Sequence, residues 1–266
     1  MLDAYFNQRY AGNSWFDGLS ITRIRQDDPE KNSNVVINIS FKDLSVESYD
    51  EFIEDFILYM SDVYSRYPEL KDSDKLNEIV RGDYDAVCWR RSSRSVLRSS
   101  IARLCDMLGT HHGKEVILLI DEYDKPVNNA NGDVRDRILA FLKQVYGESL
   151  KDNPSLRFAV VTGVMQIAKE NIFSDLNNLK VNNVLNTEFD EMFGFTTEEV
   201  RTACNDYGHP EKFEEAKKWY DGYRFGNTDI YNPWSIISYI DSGFVPKGYW
   251  TCLLYTSPSP RDSTSS

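Results

Sequence analysis

Three short apolar runs punctuate the first two thirds of the chain, at Asn34 to Phe41, Val116 to Asp124 and Arg157 to Gly163. The middle run is Val-Ile-Leu-Leu-Ile-Asp-Glu-Tyr-Asp, five apolar residues followed by three acids in four positions. A run so short, apolar and β-branched predicts a strand buried on both faces, as inside a parallel sheet. The first run is β-branched and alternates towards its end, and the third closes on the small polar pair Thr162-Gly163. Between them the period changes to that of helices. Ser48-x-x-Glu51 forms a capping-box pattern, after which Phe52, Ile53, Phe56, Met60 and Val63 recur at helical spacing until Pro68. Val96, Leu97, Ile101, Leu104 and Leu108 predict a second helix leading into Val116. Asp133 is expected to cap a third, carrying Ile138, Leu139, Phe141, Leu142 and Val145. Strand, helix and strand alternate at βαβ spacing, which predicts an α/β fold with a parallel sheet.

Other stretches are less regular. Met1 to Tyr10 has a helical face in Leu2, Tyr5, Phe6 and Arg9, whereas Lys71 to Arg94 is polar and shows no clear period. The sequence Lys-Pro-Val-Asn-Asn-Ala-Asn-Gly after Asp124 predicts a break, and Leu150 to Ser155 a turn-rich link. An Asn-rich stretch around Asn171 to Asn186 leads to a fourth candidate strand at Val184 to Phe189. From Phe195 the pattern predicts short helices: one opened by the capping box Thr196-x-x-Glu199, one running from Pro210 through Trp219, and a last one after Tyr231-Asn-Pro-Trp-Ser. Trp219, Tyr220, Tyr223, Phe225, Tyr231 and Trp234 are expected to pack as an aromatic mini-core rather than to form a stacking or peptide-binding surface.

Composition narrows the function classes. The 266 residues are 41% hydrophobic and 27% charged, an ordinary globular balance. The formal charge of −12 opposes non-specific attraction to phosphate backbones and anionic membranes. A nucleic-acid role would require a local basic patch. The one candidate, Arg90, Arg91, Arg94 and Arg98, has spacing that suits an exposed helix face, so no nucleic-acid partner is expected. No apolar stretch approaches 18 residues and the start lacks a basic signal-peptide region, so no membrane association is expected. Cys88, Cys105, Cys204 and Cys252 are scattered, and His111, His112 and His209 have no metal-ligand spacing. A reduced, cytoplasmic location is expected.

Chemistry concentrates at Asp121 and Glu122. Acids at the carboxyl end of a parallel strand stand where open α/β sheets bind ligands. An aspartate there can hold Mg²⁺, directly or through water, and an adjacent glutamate can polarise an attacking water, the Walker B arrangement. The same residues also fit a core strand running into an acidic turn.

Several longer blocks extend this picture: Ile120-Asp-Glu-Tyr-Asp, Pro126-Val-Asn-Asn-Ala, Phe158-Ala-Val-Val-Thr-Gly-Val, the block from Ile167 to Leu179, Phe193-Gly-Phe-Thr-Thr-Glu-Glu-Val, Trp219-Tyr-Asp-Gly-Tyr-Arg-Phe-Gly and Tyr231-Asn-Pro-Trp-Ser. Together, from Met1 to about Thr251, they resemble the AAA-ATPase-like family of bacterial P-loop ATPases, often joined to a C-terminal nuclease-like domain. The resemblance implies a P-loop NTPase-like sheet of the additional-strand (AAA/ASCE) type flanked by helices, with a small C-terminal helical lid. It implies a core over residues 1–190 and a helical, aromatic-rich subdomain over 191–251. It further makes Asp121 the magnesium-linked acid, Glu122 the water-activating acid and Thr162 a polar sensor of the γ-phosphate, with ATP and Mg²⁺ as cofactors. Asp124 is expected to hold the following turn.

Two departures qualify these implications. No G-x-x-x-x-G-K-[ST] pattern is present: in the sole Gly-Lys pair, Gly113-Lys114, Glu115 stands where Ser or Thr is required and Leu108 where the first Gly belongs. The expectation is that Met1 is an internal methionine, with the first strand and phosphate loop upstream. The family pattern also stops after Gly248-Tyr-Trp-Thr, and Cys252 to Ser266 resembles translated adapter sequence, Ser/Pro-rich and expected to be disordered. The leading expectation is therefore a fragment of an ATP-binding and ATP-hydrolysing protein, binding nucleotide weakly or not at all as written. One alternative is a nucleotide-independent interaction module using the C-terminal helical region to hold a protein partner. Another is a metal-dependent nuclease built on Asp121, Glu122 and Asp124.

Overall fold

The computed structural model describes residues 1–164, 173 and 179–249. The family block between Ile167 and Leu179 therefore lies, except for Phe173 and Leu179, outside the described residues, as does the Cys252–Ser266 tail. Two compact units divide the chain, Met1–Leu179 and Lys180–Ser266.

The first unit is a parallel three-stranded sheet flanked by helices. Its strands are β1 (Val35–Ser40), β2 (Val116–Asp121) and β3 (Leu156–Val161), in the order β1-β2-β3. Both pairings are parallel, with Ile37 opposite Leu118, Ser40 opposite Asp121 and Ile120 opposite Val161. Helices α3 (Tyr49–Ser65), α4 (Glu78–Cys88), α5 (Arg94–Arg98) and α6 (Ser100–His112) lie between β1 and β2 in sequence, and α7 (Lys125–Asn129) and α8 (Gly132–Leu150) between β2 and β3. One face of the sheet (Val35, Ile37, Ile39, Val116, Leu118, Ile120) joins Phe52, Phe56, Met60, Leu104, Leu108, Ile138 and Leu142 in the main core. The other face gathers Val36, Ile117 and Leu119 with Phe6, Phe158 and Val160. Because β2 is central and covered on both sides, its first five residues are all buried, which is why the run shows no alternation.

Helix starts follow local chemistry. Ser48 caps α3 by accepting a hydrogen bond from Glu51 N. The expected cap at Asp133 is not used: α8 begins at Gly132 with Asn131 in the cap position and no side-chain bond. Lys125–Asn129, predicted as a break, forms the short helix α7, because Pro126 falls in its first turn, where a missing N–H costs nothing. The unassigned polar stretch contains α4, capped by Asn77, which accepts from Val80 N. The amino-terminal helical pattern splits into α1 (Leu2–Phe6) and a 3-10 turn at Gln8–Tyr10, with Asn7 capping the latter; α2 follows at Ser20–Ile24. Arg157 at the start of β3 holds this segment, donating to Asn34 Oδ1 (2.9 Å) and pairing with Glu30 (2.7 Å). The guanidinium keeps the Glu30 carboxyl below the usual carboxylate range.

The second unit mixes helices with a small sheet. Strands β4 (Phe195–Thr196), β5 (Asp221–Phe225) and β6 (Thr228–Tyr231) pair antiparallel in the order β4-β6-β5, beside α9 (Thr197–Asp206), α10 (Phe213–Tyr220) and α11 (Pro233–Asp241). The expected helices are present here, and beside them stands a small sheet with a β5–β6 hairpin that the sequence pattern did not predict. Val184–Phe189 forms no strand. Thr196 and Glu199 do close a reciprocal capping box on α9. The aromatic cluster divides: Tyr220 and Tyr231 are buried with Val200, Phe213 and Tyr239, whereas Trp219, Tyr223 and Trp234 are exposed.

Candidate active site at the carboxyl ends of β2 and β3

Asp121 ends the central strand with its backbone fixed by both neighbours. Its carbonyl accepts from Phe41 N (3.1 Å) just past β1. On the other side the β2–β3 ladder continues beyond the strands, through Thr162 N to Ile120 O (2.8 Å) and Tyr123 N to Thr162 O (3.1 Å). Thr162 thus stands beside Asp121, and its hydroxyl donates to Asp121 Oδ1 at 2.5 Å. Glu122 N donates to the same oxygen (3.0 Å), which leaves Oδ2 of this exposed carboxylate without a partner among the described residues. Two of the three expected site residues are therefore bonded directly to each other, and the third is adjacent.

Glu122 occupies the left-handed region, with φ of 56°. That conformation costs an L-residue roughly 1–2 kcal/mol and persists only where surroundings over-determine it. Here the over-determination is visible: Asp121 is held on both sides, Tyr123 N is tied to Thr162, and Lys125 N closes a turn onto Glu122 O (3.2 Å). The Glu122 side chain is half-buried and has no ion pair or hydrogen bond among the described residues.

Asp124 is fully buried and turns inward. It accepts from Asn128 Nδ2 (2.7 Å) and Val164 N (3.3 Å), and its carbonyl receives Val127 N and Asn128 N. It therefore binds the turn after β2 to the turn after β3. Gly163 completes this joint: a Cβ there would collide with Asp124 Oδ1 and stand 2.6 Å from the Tyr123 ring. Tyr123 is buried in turn, and its carbonyl accepts from the Tyr146 hydroxyl (2.8 Å), whose phenol burial keeps well above its ordinary pKa and so protonated. Gly163 and Asn128 were not singled out as site residues by the sequence, although signals existed. Gly163 follows the polar strand end, and Asn128 lies four residues beyond Asp124.

Asp121, Glu122 and Asp124 do not converge as a three-acid site, since Asp124 is sealed beneath the other two. Among the described residues, no group of three or more His, Cys, Asp or Glu side chains could enclose a metal ion. Asp121 alone fits a different donor set, one carboxylate oxygen sharing Mg²⁺ with water and phosphates. Beside it, a cavity of about 210 Å³ lined by Ser40, Asp43, Leu44, Asp55, Leu58 and Tyr59 opens at the end of β1. This is below the roughly 300–1,000 Å³ of small-molecule sites.

No helix among the described residues is long and apolar enough to cross a membrane. No solved structure matches the chain. A curated relative, an uncharacterized protein in the vnfD 5′ region of Azotobacter chroococcum mcd 1, is 28% identical over 145 residues, 53% of this chain. The match spans 28% of that relative's length. A family model described as a predicted AAA-ATPase matches residues 1–173, which includes the β2 and β3 ends and every residue of the Asp121–Thr162 pair. The chain belongs to the AAA-ATPase-like family.

Proposed function

We propose that this chain carries the Walker B half of an ATP-binding and ATP-hydrolysing site. The observation that supports it best is the hydrogen bond from Thr162 to Asp121 across neighbouring parallel strands, beside a Glu held in a strained backbone conformation. Asp121 Oδ2 would hold Mg²⁺, either directly or through one water. The ion, when bound, would neutralise charge on the phosphate oxygens. Thr162 fixes the Asp121 rotamer and presents its hydroxyl where a γ-phosphate would approach. Glu122 would accept a hydrogen bond from the attacking water and take up its proton.

In this reading the phosphate-gripping loop is supplied by chain outside these 266 residues. Without its Lys and backbone N–H groups, Asp121 and Glu122 repel a triphosphate, so the 266 residues alone should bind ATP weakly or not at all. A longer version encoding the preceding segment should bind ATP at millimolar concentration or below in a Mg²⁺-dependent manner. If such a protein shows no nucleotide binding by equilibrium dialysis, the ATPase reading fails.

A nucleotide-independent interaction module is a second reading, favoured by exposed Trp219 (52%), Tyr223 (43%) and Trp234 (56%) in the second unit. It predicts a protein partner retained by a variant in which Asp121 and Glu122 are both Ala. The nuclease reading loses its third acid to the buried Asp124 joint.

A further inference from the structure

The turn between α4 and α5 breaks a local rule. α4 ends with Trp89 as its cap, and Arg90 N and Arg91 N close onto Val87 O (3.0 Å) and Ala86 O (2.8 Å). This closure needs a left-handed residue, ordinarily Gly or Asn, yet Arg90 occupies it with φ of 58°. Trp89 is 67% exposed beside it. Arg90 and Arg91 are both exposed, and neither guanidinium has an ion pair or hydrogen bond among the described residues. Arg94 and Arg98, by contrast, sit on α5, so the four arginines do not share one helix face. Arg98 is engaged with Gln144 (2.7 Å). Arg94 lies over the Tyr49 ring at 5.6 Å and 3.7 Å from Asp50, and Arg137 of α8 covers the same ring at 4.0 Å.

From Ala86 to Cys105 the sequence holds five arginines and no acid, within a chain of net charge −12. Arg103 is neutralised by Asp83 and Arg94 lies near Asp50, which leaves Arg90 and Arg91 as the guanidiniums of the run with neither an ion pair nor a hydrogen bond among the described residues. A local basic patch of this kind is what a chain so acidic needs to approach a polyanion. We propose that Trp89, Arg90, Arg91 and Arg94 form a docking surface for single-stranded nucleic acid. Trp89 would stack on a base while the guanidiniums contact adjacent phosphates. An acidic peptide would satisfy the charges but not the indole; a nucleotide strand offers one planar ring per phosphate. The surface uses none of the Asp121 site residues and does not depend on the ATPase reading.

The test is fluorescence anisotropy of a labelled 12-nucleotide oligo-dT with the full chain. With two to three phosphate contacts, affinity should fall roughly 7- to 18-fold between 50 and 200 mM salt. Arg90→Gly combined with Arg91→Ala should weaken binding at least about 10-fold and flatten that salt dependence, while its melting temperature does not fall, because glycine relieves the left-handed position. Trp89→Leu should weaken binding at least about 5-fold and Trp89→Phe much less, since only Phe keeps a π-face. The proposal is overturned by no binding at 50 mM salt, by equal binding in the arginine variant, or by oligo-glutamate displacing the DNA at equal concentration of charge. The last outcome would assign the surface to an acidic protein segment instead.

Discussion

Glu122 and Arg90 adopt nearly the same left-handed backbone conformation, φ of 56° and 58°, and are supported in opposite ways. Glu122 stands at the end of a buried strand, where neighbouring strands, the Thr162–Asp121 bond and the Asp124 joint fix everything around it. Arg90 stands in a solvent-facing turn secured by two helix-closing backbone bonds. In the first place the fold imposes the strain from several directions; in the second, one local closure imposes it on a side chain free to meet solvent. The difference separates the proposed chemical site from the proposed contact surface, and it can be broken experimentally.

The largest effect is expected at the proposed Mg²⁺ position. In a longer, nucleotide-competent protein, Asp121→Ala should weaken Mg²⁺-dependent ATP binding on the order of 10- to 100-fold, as loss of an indirect metal ligand does. Titration with a fluorescent ATP analogue, with and without Mg²⁺, checks this; equal binding would detach Asp121 from the metal. Next comes the joint itself. Gly163→Ala forces a methyl against Asp124 and Tyr123 and should cost about 1–3 kcal/mol, read as a lower melting temperature of the 266-residue chain. An unchanged melting temperature would show that the two turns are not locked together. Thr162→Val removes the hydroxyl but keeps the shape; because Asp121 is exposed, the loss should be about 1 kcal/mol or less by urea unfolding. Smallest are the two glycine substitutions. Glu122→Gly and Arg90→Gly should each raise stability by up to about 1 kcal/mol, and a fall at either position would contradict the strain assigned there.

Much of the first unit was legible because burial on both faces writes itself as an unbroken apolar run. β2 shows this most clearly, and the acids at its end follow from strand polarity. Thr162 was legible as the polar end of the next strand. The joint between Asp124, Asn128 and Gly163 was only half legible, since the contact of Gly163 with Asp124 spans 39 residues and depends on parallel register. α4 was missed because its polar residues conceal a short buried face of Tyr84 and Val87. The β5–β6 hairpin was missed although Gly226-Asn227 between Tyr-Arg-Phe and Thr-Asp-Ile-Tyr is a two-residue turn signal, and Gly226 has φ of 51°. The arginines of residues 90–98 were assigned to one helix face because their spacing does not reveal that Arg90 and Arg91 lie in the turn after α4 while Arg94 and Arg98 belong to α5.

The central claim is that Glu122 activates water for attack on ATP bound through Asp121. The most direct measurement compares wild type with Glu122→Gln in the longer protein, recording both bound ATP and phosphate release at saturating Mg²⁺-ATP. The account predicts undiminished binding with hydrolysis slowed on the order of 10²- to 10⁴-fold. Hydrolysis at the wild-type rate in Glu122→Gln would contradict it.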